Sequence, residues 1–130
     1  MHQVPALWDF HAVHHADQEV NVTTASRVHW IEILVQQFLV TLPLTIFFKL
    51  PSFTLATVSL TVAAWTFFNH LNVKLSLGRL SVLLCGPQVH RIHHSRLSEH
   101  QNKNFASYMP IWDVLFGTTL QQSRNIRPQA

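Results

Sequence analysis

The chain has 130 residues, enough for one domain at most. It is 48% hydrophobic and only 12% charged with a mean hydropathy of +0.15, a balance foreign to a soluble domain of this length, and its single cysteine, Cys85, excludes an internal disulfide and a cysteine-based zinc site. The net charge of +3 is unevenly spread: residues 1–48 set Arg27 against Asp9, Asp17, Glu19 and Glu32, whereas residues 70–130 carry seven Lys and Arg against Glu99 and Asp113.

Residues 1–29 are polar and rich in histidine, with Asn21 to Thr24 reading as a loop and helix start. The opening residues Met1 to Pro5 lack the basic and apolar regions of a signal peptide. Residues 31–50 form a strongly apolar run interrupted by Gln36, Gln37 and Pro43, and residues 53–69 form a second run with no charge. Only Lys49, Leu50, Pro51 and Ser52 separate them, a connection short enough to predict an antiparallel helical hairpin. At 1.5 Å per residue, runs of about 18 residues reach roughly 27 Å, close to one hydrocarbon core. The predicted fold is therefore all-α, an integral-membrane hairpin with helices at one membrane face. The last zone, from about Leu71, combines a short apolar run at Leu80–Cys85 with a basic surface. Such a surface suits anionic headgroups, and no recognised nucleic-acid module is present.

Histidine is over-used, with ten copies, and six of them fall in two repeats of H-x-x-H-H: His11/His14/His15 and His90/His93/His94. On a helix, positions i, i+3 and i+4 share a face, so each triplet is expected to present its imidazoles together. The hairpin brings its outer ends, next to His29 and His70, to the same side as both clusters. A lone histidine like His70 is ordinarily a packing or interfacial residue, but beside two clusters at the edge of an apolar span it reads as a ligand. His100, in Ser98-Glu99-His100-Gln101, reads as a solvated loop residue.

The six clustered histidines with His2, His29 and His70 exceed the four ligands of one tetrahedral zinc and suit two metal ions. All-imidazole donors exclude magnesium and calcium and leave iron, zinc, copper, nickel or cobalt. No residue reads as the general base of a hydrolytic zinc site. Asp17, Glu32, Asn104 and Asp113 are candidates to accept the second ring N–H of the ligands. Asp113 has an ordinary role open to it as well, fixing the turn at Trp112–Gly117.

The pattern His2-x-Val4-Pro5-x-Leu7-Trp8-x-Phe10-His11-x-Val13-His14-His15, then Thr24-Ala25-x-Arg27-x-His29-x-x-Glu32, Phe68-x-His70-x-Asn72-Val73, Pro87-x-x-His90-Arg91-x-His93-His94-Ser95, Asn102-x-Asn104-Phe105 and Trp112-Asp113-x-Leu115-Phe116-Gly117-Thr118 resembles the fatty acid hydroxylase/sterol desaturase superfamily of membrane di-iron oxygenases. The segments follow the family's order over nearly the whole chain, as one domain of residues 1–130. The resemblance implies ligand roles for His11, His14, His15, His70, His90, His93 and His94, and a family position for His29 in R-x-H-x-x-E. Two departures stand out. Trp30 follows His29 where the family has proline, and His2 matches only the second histidine of the family's first box, H-R-x-x-H. The chain therefore reads as the C-terminal portion of a longer enzyme, a truncated frame or a degenerate copy.

The implied activity is hydroxylation or desaturation of a lipid C–H bond using O2, with two iron ions as cofactor and zinc an alternative occupant in purified protein. The implied substrate is a sterol, a fatty acyl chain or a related membrane lipid. Electrons would come from a separate reductase or cytochrome-type donor, since no flavin, haem or iron–sulfur motif is present. The metal site would lie on the cytoplasmic face, of the inner membrane in a bacterium or of the endoplasmic reticulum in a eukaryote. Arg91 and Arg96 read as headgroup anchors. The alternative is a non-catalytic membrane remnant that still binds metal.

Overall fold

A computed structural model describes residues 1–120 of the chain. The described residues are helical and contain no strand, in agreement with the all-α expectation. Helix α1 (Pro5–His11) leads through a 3₁₀ turn at His14–Ala16 and a second at Thr24–Ser26 to α2 (Trp30–Gln36), a π-helical segment (Gln37–Thr41) and α3 (Leu42–Phe48). Helix α4 (Ser52–Asn69), a 3₁₀ turn at Gly78–Val82, α5 (Pro87–His93), a 3₁₀ turn at Ser98–His100 and α6 (Ile111–Leu115) follow.

Gln36, Gln37 and Pro43 do not break the first apolar run; α2, the π segment and α3 form one continuous helix, Trp30–Phe48. The physical reason is local. Pro43 has no N–H to donate, and the ladder widens just before it, with the Leu42 N–H reaching the Gln37 carbonyl five residues back. Lys49 then turns the chain in a left-handed conformation (φ 48°), and Pro51 leads directly into α4.

Trp30–Phe48 is the one helix among the described residues that is long and apolar enough to cross a membrane. This corrects the expectation of two spans. Helix α4 has the length, but four threonines, two serines and Asn69 dilute its apolar content. Those hydroxyls are in part internally satisfied. Thr57, Thr61 and Thr66 each donate to the carbonyl four residues back at 2.8–2.9 Å, as Thr45 does in α3 at 2.7 Å, so these side chains need no water.

The distribution of polarity is inverted relative to a water-soluble domain. Val20, Cys85 and Ile92, with Pro87 and Pro110, are the buried apolar side chains among the described residues, while five histidines, two asparagines, Glu32, Asp113 and Thr24 are buried. Phe47 and Phe53, flanking the turn after α3, are 82% and 83% exposed, and Leu39 and Leu60 are 70% and 71% exposed. The apolar surface faces outward and the polar groups face each other.

Two contacts hold the end of α4 against the polar interior, and a third ties together the segments that it meets. Trp65 Nε1 donates to the Cys85 carbonyl at 3.0 Å, Asn69 Nδ2 donates to the Ser107 carbonyl, and the Cys85 N–H donates to the Tyr108 carbonyl at 2.9 Å. Gly86, the residue before α5, is required by close approach: a Cβ there would lie 2.9 Å from Leu77 Cγ. Cys85 is fully buried, and burial pushes its thiol up to about 12, as suits a packing residue and not a ligand.

Candidate metal centre

Eight of the nine histidines expected to bind metal come together, in two groups of four. His2, His11, His15 and His93 form one group and His14, His70, His90 and His94 the other, the potential ligand atoms of each lying within 4.8 Å of one another. The second group is wholly buried and the first only partly so; they are called inner and outer here. The groups adjoin, with the rings of His15 and His94 stacked at 4.2 Å between centroids.

The triplets are not presented on one face of one helix, as their spacing had suggested. Helix α1 ends at His11, so His14 and His15 lie on the following 3₁₀ turn, and α5 ends at His93, leaving His94 as its cap. Each cluster is therefore divided. The i, i+4 pairs His11/His15 and His90/His94 stay together, while the middle histidine crosses to the other group: His14 joins the inner and His93 the outer. Two similar motifs thus interlock, each supplying two ligands to one site and one to its neighbour.

The second ring nitrogens are held mainly by backbone. His14 Nδ1 lies 3.3 Å from the Arg27 carbonyl, His70 Nδ1 2.7 Å from the Thr66 carbonyl and His93 Nδ1 3.1 Å from the Lys103 carbonyl. A carbonyl only accepts, so these Nδ1 atoms carry the proton and the neutral rings present a bare Nε2. Of the four candidates for this role, only Glu32 makes a direct contact, its Oε1 accepting from His11 Nδ1 at 2.9 Å. Asp17 instead pairs with Arg27 at 2.9 Å and accepts from the Thr24 hydroxyl at 2.6 Å, fixing the residue whose carbonyl holds His14.

Asn104 and Asp113 also act at one remove. Asn104 Nδ2 and Oδ1 clasp the Leu120 carbonyl and N–H at 2.9 and 2.8 Å. Asp113 accepts from the N–H groups of Phe105 and Ala106 at 2.8 and 2.9 Å and from the Thr118 hydroxyl. Together they lock the segment that begins beside Lys103. Sequence could not reveal the three carbonyl acceptors, because every residue has one. Only the positions of the neighbouring polar anchors hint at them.

His29 lies outside both groups. Its Nδ1 accepts the Ile31 N–H at 3.2 Å, capping α2, and its ring leans on Phe10. His100 is likewise corrected: it is 4% exposed, with Nδ1 unpartnered among the described residues, and not a solvated loop side chain. Arg91 bonds the Leu71 carbonyl and Asn72 Oδ1, and Arg96 makes one hydrogen bond, from Nη2 to the Ala16 carbonyl.

The inner group fits a cation and little else. His14 Nε2 and His70 Nε2 are 3.3 Å apart, His70 Nε2 and His90 Nε2 3.2 Å, and His90 Nε2 and His94 Nε2 3.2 Å. With the Nδ1 protons of His14 and His70 committed to carbonyls, two lone pairs point at each other with no proton between them. Protonation does not relieve this. Burial, reinforced by neighbouring histidines, pulls His14 down to about 4, and His90 and His94 are lowered as well, from the same causes. Ligand nitrogens about 2.0–2.1 Å from a tetrahedral metal are about 3.3–3.4 Å apart, matching these separations. In the outer group His15 Nε2 and His11 Nε2 are 3.2 Å apart, and His2 Nε2 is buried without a partner among the described residues. Burial first and the other histidines second bring His2 down to about 3 and His15 to about 2. Each group can hold one transition-metal ion, with imidazole as the only donor.

The family model for fatty acid hydroxylase matches residues 1–118. The chain is 34% identical to ornithine lipid hydroxylase OlsE from Rhizobium tropici over 90% of its own length and 35% of that protein. It is 32% identical to the alkylglycerol monooxygenase of Homo sapiens, over 90% of the chain and 26% of the relative, and 31% identical to that of Danio rerio, over 96% and 27%. The chain thus spans about a third or less of the length of these relatives. No solved structure matches it. With both histidine clusters, His70 and the Asp113 turn inside the matched residues, the chain belongs to the fatty acid hydroxylase family.

Proposed function

We propose that the chain is the metal-binding part of a membrane lipid hydroxylase. The observation that carries this reading is the pair of interlocked four-histidine groups whose facing Nε2 lone pairs demand cations, set beneath an outward-facing apolar surface. Two iron ions are the proposed occupants, held by His2, His11, His15 and His93 and by His14, His70, His90 and His94. Iron supplies the redox chemistry needed to break an unactivated C–H bond, which acid–base side chains cannot do. Overall, a lipid C–H group, O2, two electrons and two protons would yield an alcohol and water.

The protein's own part is positioning and exclusion. Carbonyls and Glu32 fix the imidazole tautomers of His11, His14, His70 and His93, so that their Nε2 atoms are ready to bind without a proton to displace. Burial of the inner group keeps water from it. The apolar exterior of Trp30–Phe48 and α4 would sit in lipid, with the histidines at the membrane boundary, on the cytoplasmic side where the basic residues meet anionic headgroups. Lys74, Arg79 and Lys103 would also suit docking of an acidic electron donor, a separate reductase or cytochrome-type protein. The names of the relatives favour hydroxylation over desaturation, and a polar membrane lipid as the substrate class.

The test is metal and product analysis of chain purified from membranes in detergent. About two irons per chain are expected, with incorporation of isotopically labelled O2 into lipid when a reductant is supplied. Metal-free protein after iron loading, or labelled oxygen that appears only in water, would overturn the reading.

A further inference from the structure

A cavity of about 490 Å³ opens onto the outer histidine group, with His2, His15 and His93 on one side and His94 beside them. Its remaining wall is formed by Trp8, the one large apolar side chain among the described residues there, and by the polar side chains of Ser95, Arg96, Gln101 and Asn102. Among the described residues, no carboxylate and no aliphatic side chain lines it. Arg96 brings the only fixed charge. Its Nη2 donates to the Ala16 carbonyl at 3.0 Å, and it has no ion-pair partner among the described residues, which leaves most of its donors uncommitted.

An alkyl tail placed here would strip water from amides, a hydroxyl and a guanidinium without replacing their hydrogen bonds. A phosphate or carboxylate would instead meet a planar donor fork and two amide groups in a wall free of competing negative charge. The apolar tail has its own environment elsewhere on the molecule, where large side chains cover the exterior.

We propose that this cavity seats the anionic headgroup, phosphate or carboxylate, of the lipid substrate, so that the head end of the molecule is the part brought to the outer histidine group. The inference rests on the lipid-oxidising function proposed above. It assigns Arg96 as the principal headgroup contact, with Gln101 and Asn102 as neutral partners.

The experiment measures binding and not turnover. Zinc-loaded chain in neutral detergent is titrated calorimetrically with dihexanoyl phosphatidylglycerol, with dihexanoylglycerol, which has the same tails and no charge, and with inorganic phosphate. The charged lipid should bind at least about tenfold more tightly than the neutral one. Arg96→Gln should remove that preference while leaving zinc content unchanged, and Arg96→Lys should restore part of it. Equal affinity for the two lipids would overturn the proposal, as would a preference that survives Arg96→Gln combined with Asn102→Leu. Inorganic phosphate binding as tightly as the charged lipid would also overturn it, in favour of a free-anion site. A chain that binds charged lipid selectively yet never oxidises lipid would sink the hydroxylase reading and leave the headgroup site standing.

Discussion

Glu32 Oε1 accepts a hydrogen bond from His11 Nδ1 at 2.9 Å across 21 residues of sequence, joining the first turn of the long apolar helix to the outer histidine group. The carboxylate is 4% exposed, and its second oxygen has no partner among the described residues. A buried carboxylate at the mouth of a membrane-length helix is costly, and the imidazole it orients is the evident return. Glu32→Ala should weaken metal binding at the outer site by about 10–100-fold while the inner site keeps its affinity. Titration with a metal-sensitive dye would read this as loss of one of two binding steps. Equal weakening of both steps would mean that Glu32 supports the fold and not His11.

The two sites should release metal at different rates. The inner ligands are all buried, and the outer ones border a cavity. A hydrophilic chelator added to loaded protein should therefore remove one metal quickly and the second much more slowly. His93→Ala should abolish the fast phase and His90→Ala the slow one, because the middle histidine of each cluster serves the opposite site from its flanking pair. Stopped-flow absorbance of the chelator complex measures both phases. A single phase in the unmodified protein would contradict the burial difference.

That exchange of partners marks the limit of what the sequence reveals. The helical content, the gathering of the clustered histidines and the contact between Glu32 and one of them were readable because they depend on spacing and composition. The assignment of His14 and His93 to opposite groups was not, since it follows from helices that stop at His11 and His93, and helix ends are set by packing as much as by local sequence. His29 illustrates the same point: it stood among the candidate ligands with His70, yet its Nδ1 lone pair is spent on the Ile31 N–H. His70, one residue past α4, has Thr66 four residues back to take its Nδ1 proton and stays free at Nε2. At α4 the uncharged run ending in Trp65-Thr66-Phe67-Phe68 suggested a second span, and its threonines and serines keep it less apolar than Trp30–Phe48.

Acid should unfold the metal-free chain through the histidines. An imidazole lowered to about 3 in His2, about 4 in His14 or about 2 in His15 stays neutral in the folded state, while the unfolded chain protonates near 6.5. The unfolded state then binds more protons below that value, so stability is fully present above about pH 6.5 and falls as the pH drops toward 4, by about 1.4 kcal/mol per pH unit for each such group. Metal loading should shift the loss to lower pH, because bound ions compete with protons for the same Nε2 atoms. Thermal unfolding followed by circular dichroism between pH 7.5 and 4 checks this; a flat profile without metal would mean that the rings protonate in place.

The outward apolar surface makes its own prediction. Leu39 lies in the π-helical segment at the middle of Trp30–Phe48, with 70% of its surface exposed and no charged residue between Glu32 and Lys49. If this helix crosses the bilayer, Leu39→Lys places an ammonium near the hydrocarbon centre at a cost of about 2.5–3.5 kcal/mol. On a water-facing surface the same change would be neutral or would improve solubility. Leu39→Lys should therefore reduce the share of protein that resists alkaline extraction from membranes severalfold, whereas Trp30→Lys, at the helix end where a long side chain can reach the interface, should have little effect. Equal extraction of the two variants and the parent chain would place the helix outside the membrane, and the exposed Phe47 and Phe53 would then require a protein partner instead of lipid.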